Sequence, residues 1–179
     1  MFKRVVDLLS FWFKGGVYFA KKIGVEVGNN CRIYTRYFGS EPFLISIGNN
    51  VTVTANVSFI THDGSLILFE DDKGRRYKYQ RISIGDNVFV GVNSIIMPGV
   101  KIQNNVIVAA GSVVTKSIPE GVIVAGVPAR IIGDYNEFKN KCLGKCISKR
   151  DIDFKEPYKE RILKIIDEGY KPYLNRKQG

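Results

Sequence analysis

The most constraining feature of the chain is a six-residue period that runs from Ile84 to Ile118. Aliphatic residues occupy successive positions of this period: Ile84, Val90, Ile96, Ile102, Val108 and Val114. A small or branched residue follows four positions after each of them: Val88, Ser94, Val100, Val106, Ser112 and Ile118. A fixed internal period indicates a repeat architecture, and six residues match the repeat of a parallel β-helix. We therefore predict short strands that stack from one coil to the next.

The period also predicts how each coil is built. Three hexads of extended chain, with a rise of ~3.3 Å per residue, form a triangular coil roughly 20 Å on a side. We expect the first series of residues to point inward and the second series to fill corners. Glycines within the motifs are expected to relieve strained turns or close backbone contacts. The predicted core is a column of Ile and Val.

Two interruptions divide the pattern. The same period occurs earlier in the chain, at Val27, Ile33, Ile47, Val53 and Phe59. Two extra residues fall within Tyr37 to Ser46, and the stretch from Asp63 to Arg81 leaves the pattern altogether. A solenoid accepts insertions as loops at a corner, and loops on a rigid scaffold often carry function. Both interruptions are therefore candidate sites.

The chain of 179 residues divides into three predicted segments. Residues 1–22 form an N-terminal helix, residues 23–133 form the β-helix with its loop 63–81, and residues 134–179 form a C-terminal helical extension. A short amphipathic helix is expected between Tyr158 and Tyr170. The predicted class is all-β, with helices only at the two ends.

The N-terminal segment has two possible roles. Asp7 and Lys14 interrupt its apolar residues, and a signal-peptide cleavage site is missing, so we predict neither a spanning helix nor a leader. The favoured role is a cap over the open end of the first coil. The alternative is a peripheral membrane contact through residues 1–22, with Trp12 and Phe13 among lipid headgroups.

Cysteine content and charge limit the compartment and the partners. Three cysteines without framework spacing favour a reducing compartment, so we expect a cytoplasmic protein, held at the inner membrane face if residues 1–22 bind lipid. Cys142 and Cys146 lack further zinc ligands at suitable spacing, which favours unpaired thiols and no metal. The net charge of +10 raises the question of nucleic acid, but no nucleic-acid module is recognisable. Anionic cofactors and lipids attract the same charge, so we expect no nucleic-acid partner.

Four motifs give the chain a family resemblance. They are Ile84-Gly-Asp-Asn-Val-Phe-Val-Gly91, Met97-Pro-Gly-Val100, Ala109-Ala-Gly-Ser-Val-Val-Thr-Lys116 and Ala125-Gly-Val-Pro-Ala-Arg130. Together they resemble the hexapeptide-repeat acyltransferases, and most of all the sugar O-acetyltransferases, such as the maltose and galactoside enzymes and relatives that modify polysaccharides. The resemblance implies a left-handed parallel β-helix, a homotrimer with sites between neighbouring chains, and acetyl-CoA as co-substrate. The implied reaction is acetyl transfer to a hydroxyl of a sugar, polysaccharide or glycolipid intermediate.

His62 is the candidate general base. Transfer from a thioester to an alcohol needs a base near a hydroxyl that is barely ionised at neutral pH, and histidine suits this role. The chain has one histidine, and it lies where the repeat breaks into the long loop. The Thr61-His62-Asp63-Gly64 run resembles the family's catalytic histidine at the equivalent place. We predict direct attack by the acceptor, without a covalent acyl-enzyme.

The resemblance assigns supporting roles to further residues. The backbone N–H of Val92 is the implied oxyanion donor. The implied coenzyme A contacts are Phe89, Gly91, Ala110, Gly111, Thr115, Lys116 and Arg130. The first interruption and the strand after it supply two candidate acceptor contacts, Glu41 and Asn56, and Asp63 at the start of the long loop is the third. Glu41 and Asn56 have the alternative role of turn caps, and Asp63 that of orienting His62.

Other functions make different demands on the sequence. A metal-dependent β-helix hydratase needs several histidines for zinc, which one histidine cannot provide. Sugar-nucleotide N-acetyltransferases of this superfamily often carry an extra N-terminal domain, whereas the repeats here begin by Val27. Antibiotic-inactivating acetyltransferases share the histidine and the long loop, so they stay the rival enzyme class. A non-catalytic scaffold is the rival outside enzymology, and it predicts no binding of coenzyme A.

Overall fold

The structure is a computed structural model that describes residues 10–173. The part of the predicted N-terminal helix before residue 10 lies outside the described residues. The chain divides into two compact units, Met1–Phe138 and Lys139–Gly179, and each is described by itself.

Three parallel sheets form three faces of the first unit. The first face contains β1 (Glu26–Val27), β3 (Ile45–Ile47), β8 (Ile82–Ile84) and β11 (Lys101–Ile102). The second contains β2 (Arg32–Ile33), β4 (Thr52–Val53), β9 (Val88–Val90), β12 (Val106–Val108), β14 (Val122–Gly126) and β15 (Ala129–Asp134). The third contains β5 (Ser58–Phe59), β10 (Ile95–Ile96) and β13 (Val113–Val114). The chain visits the faces in turn and each strand pairs in parallel with the one a coil away, except for the antiparallel β14–β15 pair, so the unit is a parallel β-helix.

Residue offsets between stacked positions locate both interruptions. Asp86 N–H donates to Asn104 Oδ1 across 18 positions, the length of an uninterrupted coil. Asn29 N–H donates to Asn49 Oδ1 across 20 positions, which reflects the two extra residues of the first interruption. Asn49 N–H donates to Asp86 Oδ1 across 37 positions, because loop 63–81 lies between these two coils. The coils on either side of the loop therefore stack directly on each other.

The core consists of the two predicted series of residues. Every member of both is buried: Ile84, Val88, Val90, Ser94, Ile96, Val100, Ile102, Val106, Val108, Ser112, Val114 and Ile118. The two buried serines satisfy their hydroxyls through the carbonyl of Ala109, at 3.1 Å from Ser94 Oγ and 2.7 Å from Ser112 Oγ. The predicted inward and corner positions are confirmed.

The three corners of each coil differ in character. The corner between the first and second faces, which we call the asparagine corner, contains Asn30, Asn50, Asn87 and Asn105, all with positive φ. The second corner, between the second and third faces, contains residues 54–57, 91–94 and 109–112. The third corner, between the third and first faces, contains residues 39–44, 60–81, 97–100 and 115–117. Both interruptions of the repeat occur at the third corner.

The N-terminal segment is helical in two pieces. Residues 10–14 are helical, Gly15 takes a φ of 83°, and α1 follows over Gly16–Lys22. Phe19 and Ala20 of α1 are buried, and the Phe19 ring lies 6.3 Å from that of Phe38 in the first coil. Trp12 and Phe13 are 70% and 82% exposed. The second piece thus covers the end of the core while the first presents aromatic side chains to solvent.

The C-terminal part of the chain consists of a β-hairpin followed by helices. β14 and β15 form an antiparallel hairpin, and α2 follows over Tyr135–Lys145. In the second unit, Ser148 and Asp151 cap a short 3-10 turn reciprocally, and α3 spans Tyr158–Ile165, ending before the predicted limit at Tyr170. In residues 10–173 the structure has no cluster of three or more candidate metal-ligating side chains. Within the same range, every helix is too short or too polar to cross a bilayer.

Candidate active site

Loop 63–81 is tied to the third corner at its base. After β5, the carbonyl of Thr61 accepts from Gln80 N–H at 2.8 Å, and Asp63 N–H donates to the carbonyl of Lys78 at 3.2 Å. These bonds place His62 directly opposite Tyr79 in an antiparallel bridge. The loop then forms a 3-10 turn over Gly64–Leu68 and a hairpin of β6 (Glu70–Asp71) and β7 (Gly74–Arg75). The backbone therefore fixes His62 at the point where the loop leaves the coil.

Glu41 lies beneath His62 in the preceding coil. Its Oε2 atom is 2.9 Å from His62 Nδ1 and accepts from Thr61 Oγ1 at 2.5 Å. The Thr61 side chain is buried, the Glu41 side chain is 17% exposed, and that of His62 is 39% exposed. The imidazole is thus anchored on its inner nitrogen and open on its outer one.

Protonation follows from these contacts. Burial raises the pKa of Glu41, but the hydrogen bonds from Thr61 and His62 and the nearby imidazole outweigh it and hold the pKa below 4.5. The ionised carboxylate can only accept hydrogen bonds, so the ring proton of His62 sits on Nδ1, and Nδ1–H donates a hydrogen bond to Glu41 Oε2. Nε2 is left unprotonated in the neutral ring, as a general base requires.

A cavity of about 390 Å³ opens beside His62 at the third corner. The base of the loop and the third corners of the following coils line it, with Ile60, His62, Asp63, Gly64, Lys78, Gln80, Met97, Pro98 and Thr115. A second cavity of about 390 Å³ continues from Thr115 and contains Lys116 and Arg130. Thr115 lines both, so the two cavities lie next to each other. Of the predicted coenzyme A contacts, Thr115 therefore shares a cavity with His62, and Lys116 and Arg130 line the neighbouring one.

The remaining predicted donor contacts lie at the second corner. Gly91 packs so closely on the next coil that a Cβ atom would approach Ala110 N to 2.4 Å, and Gly111 has a φ of +70°. The carbonyl of Val92 accepts from Gly111 N–H at 2.8 Å. Within residues 10–173 the N–H groups of Val92 and Ala110 donate to no protein acceptor, so both can bind an anionic or carbonyl oxygen. On one chain these residues are separated from His62 by the third face.

The structure places the other predicted residues apart. Asn56 has a φ of 58° at the second corner, where Asn93 one coil above has 60°, which fits a turn role. Asn56 lines a cavity with Tyr34, Arg36 and Tyr37 rather than with His62. Asp63 does line the His62 cavity, but its carboxylate accepts from Ser65 N and Ser65 Oγ, which lowers its pKa. Asp63 caps the loop turn and does not orient His62.

Phe89 points outward from the middle of the second face. It is 43% exposed and lines a cavity of about 500 Å³ together with Tyr135 and Phe138 of α2. This cavity shares no lining residue with the groove at the third corner. The structure therefore does not bring Phe89 together with Lys116 and Arg130.

Several site residues were not evident from the sequence. Thr61, Gln80, Met97 and Pro98 surround His62 without having been predicted. The 20-residue offset of the first interruption is a signal for the Glu41–Thr61 contact, because it places those two residues one above the other. The sequence contains no comparable signal for the contact of Tyr79 and Gln80 with the segment around His62. That contact depends on the conformation of the whole insertion.

Comparison with known proteins agrees with this geometry. Residues 81–116 match the model of the hexapeptide repeat of succinyl-transferase. The chain is 47% identical to Protein CapG of Staphylococcus aureus, over 76% of this chain and 81% of that protein. It is 30% identical to the galactoside O-acetyltransferase of Lactococcus lactis, over 74% of this chain and 73% of that protein. A solved galactoside acetyltransferase in complex with coenzyme A superposes with a TM-score of 0.51 at 28% identity, over 72% of this chain and 74% of that one.

These relatives confirm the class of enzyme that the motifs predicted, an O-acetyltransferase that depends on an acyl-CoA donor. The repeat, the stacked parallel faces and the similarity along three quarters of the sequence point to the same group. The chain belongs to the hexapeptide-repeat acetyltransferases.

Proposed function

We propose that this protein transfers an acetyl group from acetyl-CoA to a hydroxyl of a sugar, which is either a free sugar or part of a polysaccharide or glycolipid intermediate. The observation that carries this proposal is the pair of His62 and Glu41 beside a cavity that shares Thr115 with a second cavity, which Lys116 and Arg130 line. A base next to a cavity suits the acceptor, and two cations suit the phosphates of coenzyme A. The β-helix of residues 23–133, with loop 63–81, carries the activity, and the segments 1–22 and 134–179 flank it in sequence.

The proposed reaction is a direct displacement. Nε2 of His62 removes the proton from the acceptor hydroxyl while the oxygen attacks the thioester carbonyl. The new C–O bond forms, the tetrahedral oxyanion accepts a hydrogen bond from Val92 N–H, and the C–S bond then breaks. His62 returns its proton to the departing thiolate of coenzyme A. Glu41 holds the imidazole in the required tautomer and acts as a positioning residue.

We propose further that the active protein is a homotrimer of left-handed β-helices, as in the family. Support comes from the division of the predicted site between two corners of one chain, with His62 at the third and Val92 at the second. Two corners from neighbouring chains can complete a site that one chain holds only in halves. The donor groove then lies between subunits.

A complementation experiment tests the shared site. We expect His62→Ala and Ala110→Trp each to abolish activity, the latter because a bulky side chain at this exposed position covers the donor contacts predicted at the second corner. Mixed trimers formed by co-expression contain sites with both halves intact, so part of the activity returns. Recovery is absent if each chain carries a complete site of its own, and the two separately purified variants, combined without subunit exchange, are the matched control.

The reaction itself is tested by release of free thiol from acetyl-CoA. The panel contains galactosides, maltosides, lipid-linked glycans and aminoglycoside and chloramphenicol-type antibiotics. Release that depends on a glycan acceptor supports the proposed function. Release with antibiotics alone favours the rival enzyme class, and a protein that does not bind acetyl-CoA in calorimetry is a scaffold.

The helical residues 10–14 support a peripheral membrane contact. Trp12 and Phe13 are exposed, and Lys14 lies beside them with its Nζ atom 4.7 Å from the Tyr18 ring centroid. Exposed aromatic residues with adjacent cations suit an anionic lipid surface. We expect the protein to float with phosphatidylglycerol vesicles and the double variant Trp12→Ser, Phe13→Ser to remain behind. Failure of the unmodified protein to float would favour a capping role alone.

A further inference from the structure

An exposed row of side chains leaves His62 along the loop. The Tyr79 ring lies 5.9 Å from the imidazole, and the Tyr77 ring lies 6.4 Å from that of Tyr79 with only 6° between the two planes. The guanidinium carbon of Arg75 lies 4.8 Å from the centre of the Tyr77 ring. We call Arg75, Tyr77 and Tyr79 the tyrosine row. Its members occupy alternate positions of an extended segment, which brings their side chains to one side.

The row is open to solvent. Tyr77 is 63% exposed and Tyr79 is 53% exposed. Within residues 10–173 neither phenolic hydroxyl forms a hydrogen bond. Neither tyrosine lines the cavity beside His62. The row therefore forms a separate surface that begins at the general base.

We propose that the tyrosine row binds an extended glycan, so that the acceptor is an oligosaccharide or polysaccharide rather than a free monosaccharide. This inference rests on the proposed function, which it deepens by naming the acceptor's size. A pyranose ring has a C–H face that packs on an aromatic ring, and its hydroxyls reach polar groups at the rim. Tyrosine supplies both, with an apolar body and a polar tip. Two aromatic rings with nearly parallel planes follow each other in a row that starts at His62, so each can contact a successive unit of one glycan chain.

Arg75 completes the far end of the row. Its position over Tyr77 holds that ring in place and leaves guanidinium N–H groups for hydroxyl or carboxylate oxygens of the glycan. The sugar unit at His62 would be acetylated, while its neighbours contact the exposed parts of Tyr79 and then of Tyr77. The exposed tyrosine row would then be covered by the same glycan chain that carries the reacting hydroxyl.

A neighbouring chain is the competing occupant. The same loop exposes Leu68 at 78% and Ile67 at 60%, and such aliphatic side chains suit a protein contact better than a sugar. The two kinds of surface can be separated by mutation. Tyr77→Ala removes one ring of the row, whereas Leu68→Ser alters the aliphatic surface of the same loop and serves as the matched control.

The test measures dependence on chain length. Protein loaded with coenzyme A is applied to a printed panel of neutral and uronic-acid glycans, each present as mono-, di-, tri- and hexasaccharide. We expect trisaccharides to bind roughly tenfold better than the matching monosaccharides, on the scale of one or two aromatic stacking contacts. Tyr77→Ala should bring that ratio close to one, Tyr77→Trp should keep it, and Leu68→Ser should leave it unchanged.

Three results would overturn the inference. They are an absence of bound glycans, equal binding of short and long glycans, and loss of the assembled oligomer in Tyr77→Ala by light scattering. The last would identify the row as a contact between chains. Thiol release separates this inference from the proposed function. If longer glycans bind better but no His62-dependent release of thiol is found, the tyrosine row binds glycans and the proposed catalytic function is wrong. If His62-dependent release of thiol is equal for short and long glycans, the proposed function holds and the inference about the tyrosine row is wrong.

Discussion

The asparagine corner and the third corner join the same kinds of strand, yet they differ in every coil. At the asparagine corner, Asn50 Nδ2 donates to Asn87 Oδ1 and Asn87 Nδ2 donates to Asn105 Oδ1, both at 3.2 Å. The third corner instead carries both interruptions, the imidazole of His62 and the cavity beside it. The asparagine corner has the same residue type in successive coils, whereas the third corner has a different sequence in each coil.

Stacking explains the difference. Asparagine tolerates the left-handed φ of a tight corner, and its amide also bonds to the copy in the next coil. A corner that repeats in this way holds the coils in register. The third corner is then free to depart from the repeat, because the register has already been fixed elsewhere. We therefore call the repeating asparagine corner the structural side of the β-helix, and the irregular third corner with His62 the chemical side.

The sharpest test of the chemical side is His62→Ala. We expect turnover to fall by roughly two to four orders of magnitude, because the acceptor hydroxyl loses its proposed general base. Melting temperature should change little, since the side chain is 39% exposed. Thiol release and thermal unfolding measure the two effects. Near-full activity would remove His62 from the mechanism.

Glu41→Gln probes the positioning of that base. We expect turnover to fall about ten- to a hundredfold, as for other groups that orient a functional histidine, with little change in KM for acetyl-CoA. The same substitution in a His62→Ala background should have no further effect on turnover, because Glu41 acts through the imidazole. Additive losses in the double variant would contradict that role.

Asn87→Ala probes the structural side. Alanine loses two amide hydrogen bonds and must hold the 56° φ of Asn87, so we expect a loss of about 2 kcal/mol in the free energy of unfolding. Turnover of the remaining folded protein should be unchanged. Asn87→Gly is the matched control, because it keeps the backbone conformation and loses only the amide bonds. Urea unfolding measures both, and equal stability of all three proteins would rule out a structural role for the ladder.

The smallest expected effect is the pH dependence of the Glu41 contact. Because the pKa of Glu41 is lower in the folded protein than its ordinary value of 4.5, the folded state binds this proton less readily than the unfolded state. The contribution to stability is therefore fully present above about pH 5 and is lost as the pH falls below that range. The melting-temperature difference between the unmodified protein and Glu41→Gln should be constant near neutral pH and shrink in acid. A difference that grows in acid would contradict the assigned direction.

The period predicted the β-helix and its core because burial repeats with the coil. A residue such as Ile96 is inward for the same geometric reason as Val90 and Ile102, so one rule places all three. The same regularity located both interruptions and put His62 at the edge of one. The pairing of His62 with Glu41 follows from the register only after the two extra residues of the first interruption are counted.

The contents of the insertion could not be predicted in that way. Asp63 precedes the loop turn and is adjacent to His62 in sequence, yet its carboxylate is engaged by Ser65. Tyr79 and Gln80 return beside His62 because of two backbone hydrogen bonds at the loop base, which no periodicity specifies. Phe89 was assigned to coenzyme A by resemblance, whereas the helix α2 that shares its cavity lies beyond the repeat.

Direct stacking of the coils across residues 63–81 has an evolutionary consequence. Ser58 of one coil and Ile95 of the next remain paired although the whole insertion separates them in sequence. The pairing of the coils therefore does not depend on the sequence of the insertion. A different insertion needs only to begin and end at the same two points of the third corner. The loop between these two strands can therefore change in length and sequence over evolution while the stacked coils stay the same.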